Sequence, residues 1–409
     1  VRPLEELRLV ERAVVLKGGV RAATLVRRHD AVVFAYDAEY LAGQGPAVAT
    51  TLPLSGTPVL THAPGALPAY FSGLLPEGRR LQALRADLKT SADDEFSMLL
   101  AVGGDAVGDV TVIPAGDDVP ATIEPAVVVE AWDEIGFRDL LATPGKSQRG
   151  WDRVALPGVQ DKLSAGLINL PVARRGERYL LKLDPPGIPH LVANEAFFLH
   201  AARRSQLETA QAEVVHDREG VPGLLVRRFD RIARPDGRVQ SIPQEDGCQV
   251  LGRYPADKYR VTTEEVIGSL SAVCPARPVA ALTLLRQVAF AYLSCNGDAH
   301  AKNFSVFAPS DGEWRVTPAY DLPSTYPYRD FTMALSLNGR TREDIGRADF
   351  LALGEEVGLR PRAVEGALDR LVGAVDRWVE ELHRLPFDAG VIHKLRRAIE
   401  YRRDRLGRH

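Results

Sequence analysis

The chain has 409 residues, enough for two or three domains that each bury a core of their own. Apolar residues make up 45% and charged residues 26%, an ordinary balance for soluble globular proteins. The net charge of -3 argues against a free-standing nucleic-acid binder, which usually carries a basic excess. Three cysteines, Cys248, Cys274 and Cys295, show neither an even framework nor metal-ligand spacing and read as buried thiols in a reducing compartment. The stretch Val1–Glu6 has no apolar signal region, and no segment reaches the roughly 20 apolar residues of a membrane span. The expected location is cytoplasmic, with no membrane partner.

Residues 1 to about 60 alternate short β-type runs with turns and predict a small antiparallel sheet. From Tyr70 the character changes. Phe71–Gly78 precedes a helical pattern from Arg79 to Lys89, with Leu81, Leu84 and Leu88 on one face. A second helix is expected from Ser91, with Asp94 three residues on as its capping pair. Val110–Pro114 reads as another strand. Glu77, Arg79 and Arg80 read as a solvated helix start, and nothing in this first third suggests catalysis. The Pro-, Gly- and Asp-rich stretch from 114 to 125 marks a boundary. The expected division is a β-rich unit over 1–120, a small lobe over 121–235 and a helical lobe over 236–409.

Gly145-Lys146-Ser147 lacks the leading Gly of a P-loop, because position 140 is Leu. A better phosphate-binding candidate is Leu156-Pro157-Gly158-Val159-Gln160-Asp161-Lys162, a Gly-containing turn before an expected strand from Leu163 to Leu170. Such a turn can aim backbone N–H groups at phosphates; a plain hairpin is the competing account. The strand Tyr179–Leu183 then sets Lys182 among apolar neighbours. Its side chain either snorkels to solvent or holds ATP phosphates, paired with a Glu on the next helix. Glu195, near the start of that helix, is the candidate partner, unless it only complements the helix dipole. Leu224–Arg231 reads as a strand, and Ser241–Gln249 as the opening of a helix.

The apolar helix Leu282–Cys295 leads into Asn296-Gly297-Asp298-Ala299-His300-Ala301-Lys302-Asn303. The Asp-x-x-x-x-Asn spacing is that of kinase catalytic loops, whose Asp accepts the proton of the attacking hydroxyl and whose Asn holds Mg²⁺. Taken alone the pattern is weak. Its value rises because Phe304–Phe307, the turn Ser310-Asp311-Gly312 and Trp314–Thr317 form an expected hairpin that returns Tyr320-Asp321 to the same place. Helices from about 362 to 382 and 389 to 406 finish the chain. The basic run on the last one reads as a solvated face, with a partner or DNA-phosphate surface as the lesser alternative.

With these segments in order, the chain resembles the HipA family, the toxin kinases of bacterial type II toxin–antitoxin modules. The matching stretches are Phe71–Arg79, Leu156–Lys162, Val226–Arg231, Pro243–Gln249 and Gly297–Ser305. The resemblance implies an α+β, two-lobed protein-kinase-like fold with an added β-rich N-terminal subdomain. It implies a Ser/Thr protein kinase using ATP and Mg²⁺, a separate helix-turn-helix antitoxin with operator DNA as partners, and an aminoacyl-tRNA synthetase, typically glutamyl-tRNA synthetase, as substrate. Carried over by position, Asp298 is the catalytic base, and Asn303 and Asp321 are the metal ligands. Lys182 holds the phosphates and the turn Pro157, Gly158, Val159, Gln160, Asp161, Lys162 covers them. Arg227, Arg228 and Phe229 form the adenine hinge, and His300, Lys302 and Tyr320 line the nucleotide pocket. The acidic hinge residue of well-known members is Arg227 here. Where the family commonly has an autophosphorylated Ser, this chain has Ala155, which offers no hydroxyl. Two other readings stay open: a small-molecule or lipid kinase of similar lobes, and a catalytically silent co-repressor subunit.

Overall fold

Gly18 and Gly19, at φ of +56° and +83°, adopt the left-handed pair that a two-residue hairpin requires. They join β1 (Arg12–Lys17) to β2 (Val20–Arg27), the start of the N-terminal sheet. The computed structural model describes residues 3–407 apart from 63–64, 119–126, 138, 140–167, 186, 310, 343 and the side chain of Arg79. β3 (Val32–Tyr36), β4 (Val59–Thr61) and β5 (Val110–Pro114) complete an antiparallel sheet ordered β4-β3-β2-β1-β5. Helices α1 (Ala38–Ala42), α2 (Ala69–Ser72), α3 (Gly78–Leu88) and α4 (Glu95–Val102) belong to the same unit. Leu25, Phe34, Phe71, Leu84, Phe96 and Leu99 share one core there. The helix expected from Ser91 starts four residues later. Asp94 is itself the N-cap, accepting from Ser97 N at 3.2 Å and pairing with Arg27 at 2.8 Å.

The small lobe is a second sheet, ordered β6-β7-β8-β10-β9. It contains β6 (Val127–Val128), β7 (Ile168–Arg174), β8 (Glu177–Leu183), β9 (Ala212–His216) and β10 (Pro222–Arg227). The first five residues of the expected strand Leu163–Leu170 lie outside the described residues; β7 includes its last three and turns at Arg175-Gly176, whose φ values of +50° and +80° repeat the hairpin device of β1–β2. Helix α5 (Leu191–Arg204) follows β8. β10 stops at Arg227, four residues short of expectation. Arg231 opens a separate β11 (Arg231–Ala233) that pairs with β12 (Val239–Ser241).

The helix expected over Ser241–Gln249 is mostly absent. Gln244–Asp246 is β13, paired with the distant β14 (Ser305–Phe307), which in turn pairs with β15 (Arg315–Val316). Only α6 (Gly247–Val250) is helical, opened by a reciprocal capping box between Asp246 and Gln249. The polar cluster was a cap signal, displaced by five residues. α7 (Thr263–Val273), α8 (Arg277–Leu293), α9 (Arg347–Glu356), α10 (Pro361–Val379) and α11 (Ala389–Gly407) make the large lobe. Phe198 of α5, Phe290 of α8 and Trp378 of α10 meet in its core, and Trp378 Nε1 donates to Ser205 Oγ at 3.1 Å.

The basic run of α11 is not a uniformly solvated face. Arg402 is buried and donates to Tyr292 O at 2.7 Å and Phe331 O at 2.8 Å, while Arg396 and Arg403 pair with Glu380 and Asp376 of the neighbouring segment. The three cysteines are buried and free. Among the described residues no helix is long and apolar enough to cross a membrane.

Candidate active site

Leu181 and Leu183 of β8 are buried among apolar side chains, and Lys182 between them turns to the opposite face of the strand. Its Nζ lies 2.7 and 2.9 Å from the two carboxylate oxygens of Glu195 on α5, and 3.2 Å from Asp321 Oδ1. Burial opposes the charge on Lys182, yet Asp321 and Glu195 outweigh it and raise the ammonium above its ordinary range. Burial pushes the Glu195 carboxyl up to about 7 against the pull of Lys182. The neighbouring Asn194 exchanges two hydrogen bonds with the backbone of Ser324, at 2.8 and 3.0 Å. Helix α5 is thereby pinned to the segment after Asp321.

After α8 the chain reverses through Cys295, held at φ +56°. Asn296 Oδ1 accepts from Asp298 N at 3.0 Å, its Nδ2 donates to Asp321 O at 3.3 Å, and Gly297 N donates to Thr325 Oγ1 at 2.8 Å. Asn303 closes the loop: its Oδ1 accepts from His300 N at 2.9 Å and its Nδ2 donates to Asp321 Oδ2 at 2.7 Å. Asp321 is held at φ +58°, a conformation that non-glycine residues keep only when their surroundings enforce it. Tyr320 OH donates to Lys302 O at 2.8 Å. Asp298 is 2% exposed and accepts from Tyr259 OH at 2.5 Å.

Lys182, Glu195, Asn303, Asp321, His300, Lys302, Tyr320 and Arg227–Phe229 line one cavity of about 150 Å³. Asp298 is not among its lining residues. The hinge side chains are committed elsewhere. Arg227 pairs with Glu177 at 2.5 Å, and Arg228 is buried between Asp105 and Asp230 at 3.0 and 2.8 Å. Their backbone N–H groups donate to Gln211 O and Arg178 O within the sheet. Phe229 packs its ring against Phe307 and Tyr320, giving the cavity an apolar wall. The turn Pro157–Lys162, with Ala155 and Gly145-Lys146-Ser147, lies outside the described residues.

Four cavity or loop residues were not expected from the sequence. Glu77 is a correction: it is buried, it lines the cavity, and it pairs with Lys258 at 2.5 Å and Lys302 at 2.9 Å. Lys258 and Gly73 line the cavity with it, and Tyr259 holds Asp298. Glu77 stands inside the matched Phe71–Arg79 stretch, which was the one signal that could have found it. Tyr259 carries no local signal.

The donors present fit a magnesium–nucleotide ligand. Asp321 offers a carboxylate and Asn303 a carboxamide oxygen beside it, the hard donors that magnesium takes when waters and phosphates complete its shell; here Asn303 turns its Nδ2 to Asp321 and its Oδ1 to His300 N. Asn303 Oδ1 has a second lone pair beyond the one given to His300 N. Among the described residues no group of three or more His, Cys, Asp or Glu could hold a metal ion without such help. In the cavity wall, buried His300 has an Nδ1 with no hydrogen-bond partner, and burial together with Lys258 keeps the ring neutral.

The sequence matches the HipA-like C-terminal domain over residues 154–379 and the HipA N-terminal domain over residues 13–113. A putative kinase of Sinorhizobium fredii is 30% identical over 394 residues, covering 90% of this chain and 91% of the relative. The serine/threonine-protein kinase toxin HipA of Shewanella oneidensis is 29% identical over 307 residues, covering 70% of this chain and 69% of its own length. The fold matches that of a chain in the Shewanella oneidensis HipA, HipB and operator DNA complex with a TM-score of 0.77 at 23% identity, over 96% of this chain and 97% of the other.

Proposed function

The chain belongs to the HipA family, and on that premise we propose that it is an ATP- and Mg²⁺-dependent Ser/Thr protein kinase of the toxin type. The observation that carries the reading is the contact chain Glu195–Lys182–Asp321–Asn303, which draws four separate segments to one cavity. Lys182, oriented by Glu195, holds the ATP phosphates; the family resemblance assigns their cover to Pro157–Lys162, which lie outside the described residues. The backbone groups of the hinge Arg227–Phe229 other than the Arg227 and Arg228 N–H, with the rings of Phe229 and Tyr320, receive the adenine beside His300 and Lys302. Asn303 and Asp321 hold magnesium, which when bound neutralises charge on the transferred phosphoryl group. Asp298, oriented by Tyr259, takes the proton of the attacking hydroxyl.

The Shewanella oneidensis HipA that shares this fold is seen with HipB and operator DNA. By analogy the partner here is a helix-turn-helix antitoxin, and the substrate is an aminoacyl-tRNA synthetase in the cytoplasm, as the family resemblance implies. Incubation of the full chain with a cell extract and γ-labelled ATP tests the reading. Label in a protein band supports it. Label in a lipid or small-molecule fraction instead indicates the other kinase class, and absence of Mg·ATP binding indicates a silent subunit.

A further inference from the structure

The segment from Phe71 to Glu77 of the N-terminal unit delivers a carboxylate that the phosphotransfer roles above leave unused. Glu77 is 8% exposed, and its two oxygens are divided between cations: Oε2 accepts from Lys258 Nζ at 2.5 Å, and Oε1 lies 2.9 Å from Lys302 Nζ. All three side chains line the cavity. Both lysines are tied to the loop that ends in Asn303. Lys302 immediately precedes that residue, and Lys258 O accepts from Ala301 N at 3.1 Å.

The approach of the segment is fixed by packing. Lys302 donates to Gly73 O at 3.1 Å, and Gln249 Nε2 donates to Tyr70 O at 3.1 Å. A Cβ on Gly73 would stand 2.8 Å from Gln249 Cγ, so a larger residue there must displace the Gln249 side chain. Asp246 adds a second acid 3.8 Å from Lys302. Lys258 Nζ lies over the Tyr259 ring, which packs edge-on against His300.

Two ammonium groups in a buried wall need a shared counter-charge, because removing it leaves like charges in a poorly solvated space. Burial alone would raise the Glu77 carboxyl, but Lys302 and Lys258 hold it down at about 2. It stays ionised throughout the working pH range and is therefore no proton carrier. We infer that Glu77 is a positioning residue of the phosphotransfer site, holding Lys258 and Lys302 side by side behind Asn303, so that the N-terminal unit completes the active site of the helical lobe. This rests on the kinase reading above. Glu77 also leaves the lysine pair with less free positive charge, which limits how far a polyphosphate is drawn toward it.

The test compares the full-length parent with Glu77→Gln and Glu77→Asp, measuring Mg·ATP binding by calorimetry, phosphoryl transfer at neutral pH and the thermal melt of each. Glu77→Gln binds Mg·ATP at least as tightly as the parent while its kcat falls about tenfold or more. Glu77→Asp keeps the charge on a shorter stem, so its kcat lies between the two. Should Glu77→Gln not fold, Glu77→Asp decides alone, by a fall in kcat without a fall in affinity. A parental kcat in the variant that folds overturns the inference, and so does loss of affinity and turnover together. A parent that neither binds Mg·ATP nor transfers phosphate overturns the kinase reading and this inference with it.

Discussion

The Asn303 carboxamide donates to the Asp321 carboxylate across 2.7 Å, joining the end of one loop to the start of another 18 residues on. Asp321 also faces Lys182 at 3.2 Å, so the small lobe and the large lobe meet on this one side chain. The energetics of the site follow from how such buried charges share partners.

Asp298 accepts a hydrogen bond from Tyr259 OH. Replacing it by Asn keeps the volume and removes the base. Asp298→Asn is expected to lower kcat by roughly 10²–10⁴-fold while Mg·ATP affinity stays near that of the parent. Single-turnover transfer and calorimetry on the same preparation check this. Undiminished transfer would remove Asp298 from the role of base.

Breaking a buried ion pair from one side costs roughly 3–5 kcal/mol when the remaining charge stays charged. In Lys182→Met two carboxylates lose their cation: Asp321 keeps the Asn303 amide, and Glu195, whose carboxyl burial already pushes up, can take a proton instead. The expected loss of stability therefore lies at the low end, about 3 kcal/mol, by urea denaturation at neutral pH. Lys182→Met/Glu195→Gln should recover most of that stability and none of the activity. Recovery of both would mean the pair is structural only.

Asp230 sits between Arg228 and Arg231, in a network that also reaches Asp105 of the N-terminal unit. Burial would raise its carboxyl, but the two guanidinium groups hold it down at about 2, and Asp105 is lowered likewise. A carboxylate depressed on folding contributes stability above its unfolded pKa and loses it as pH falls toward the folded value. The window is therefore about pH 4 to 2. Asp230→Asn should cost on the order of 2 kcal/mol at pH 7 and show a shallower loss of stability than the parent across that window. Parallel acid-unfolding curves would contradict the assignment.

Gly297 touches the segment after Asp321 so closely that a Cβ would stand 2.7 Å from Thr332 O and 2.8 Å from Thr325 Oγ1. Gly297→Ala must move backbone, at about 1–3 kcal/mol, and shifts the loop that carries Asp298. Activity is expected to fall more than stability alone explains. Gly373→Ala is the control: it lies within the helix Pro361–Val379 with open space at its Cβ, and should gain roughly 0.5–1 kcal/mol. Thermal melts and kcat for both variants separate packing at the loop from a general glycine effect.

Much of this protein was legible along the chain because the signals were local. The alternation of β-type runs and turns over the first 60 residues, a lysine in an apolar strand, the Asp298-to-Asn303 spacing and the apolar run before it each depend on neighbours a few residues away. The strand Gln244–Asp246 was missed because its partner, Ser305–Phe307, is some 60 residues distant, and only that pairing decides between strand and helix. Glu77, Lys258 and Tyr259 were missed for a related reason. A charged residue reads the same in sequence whether water or an opposite charge surrounds it. The amino-acid order determined which chemical groups were present and how each short segment would fold. Only tertiary packing, which buries Glu77 against two lysines from the other end of the chain, decided which groups lose water and must answer to one another.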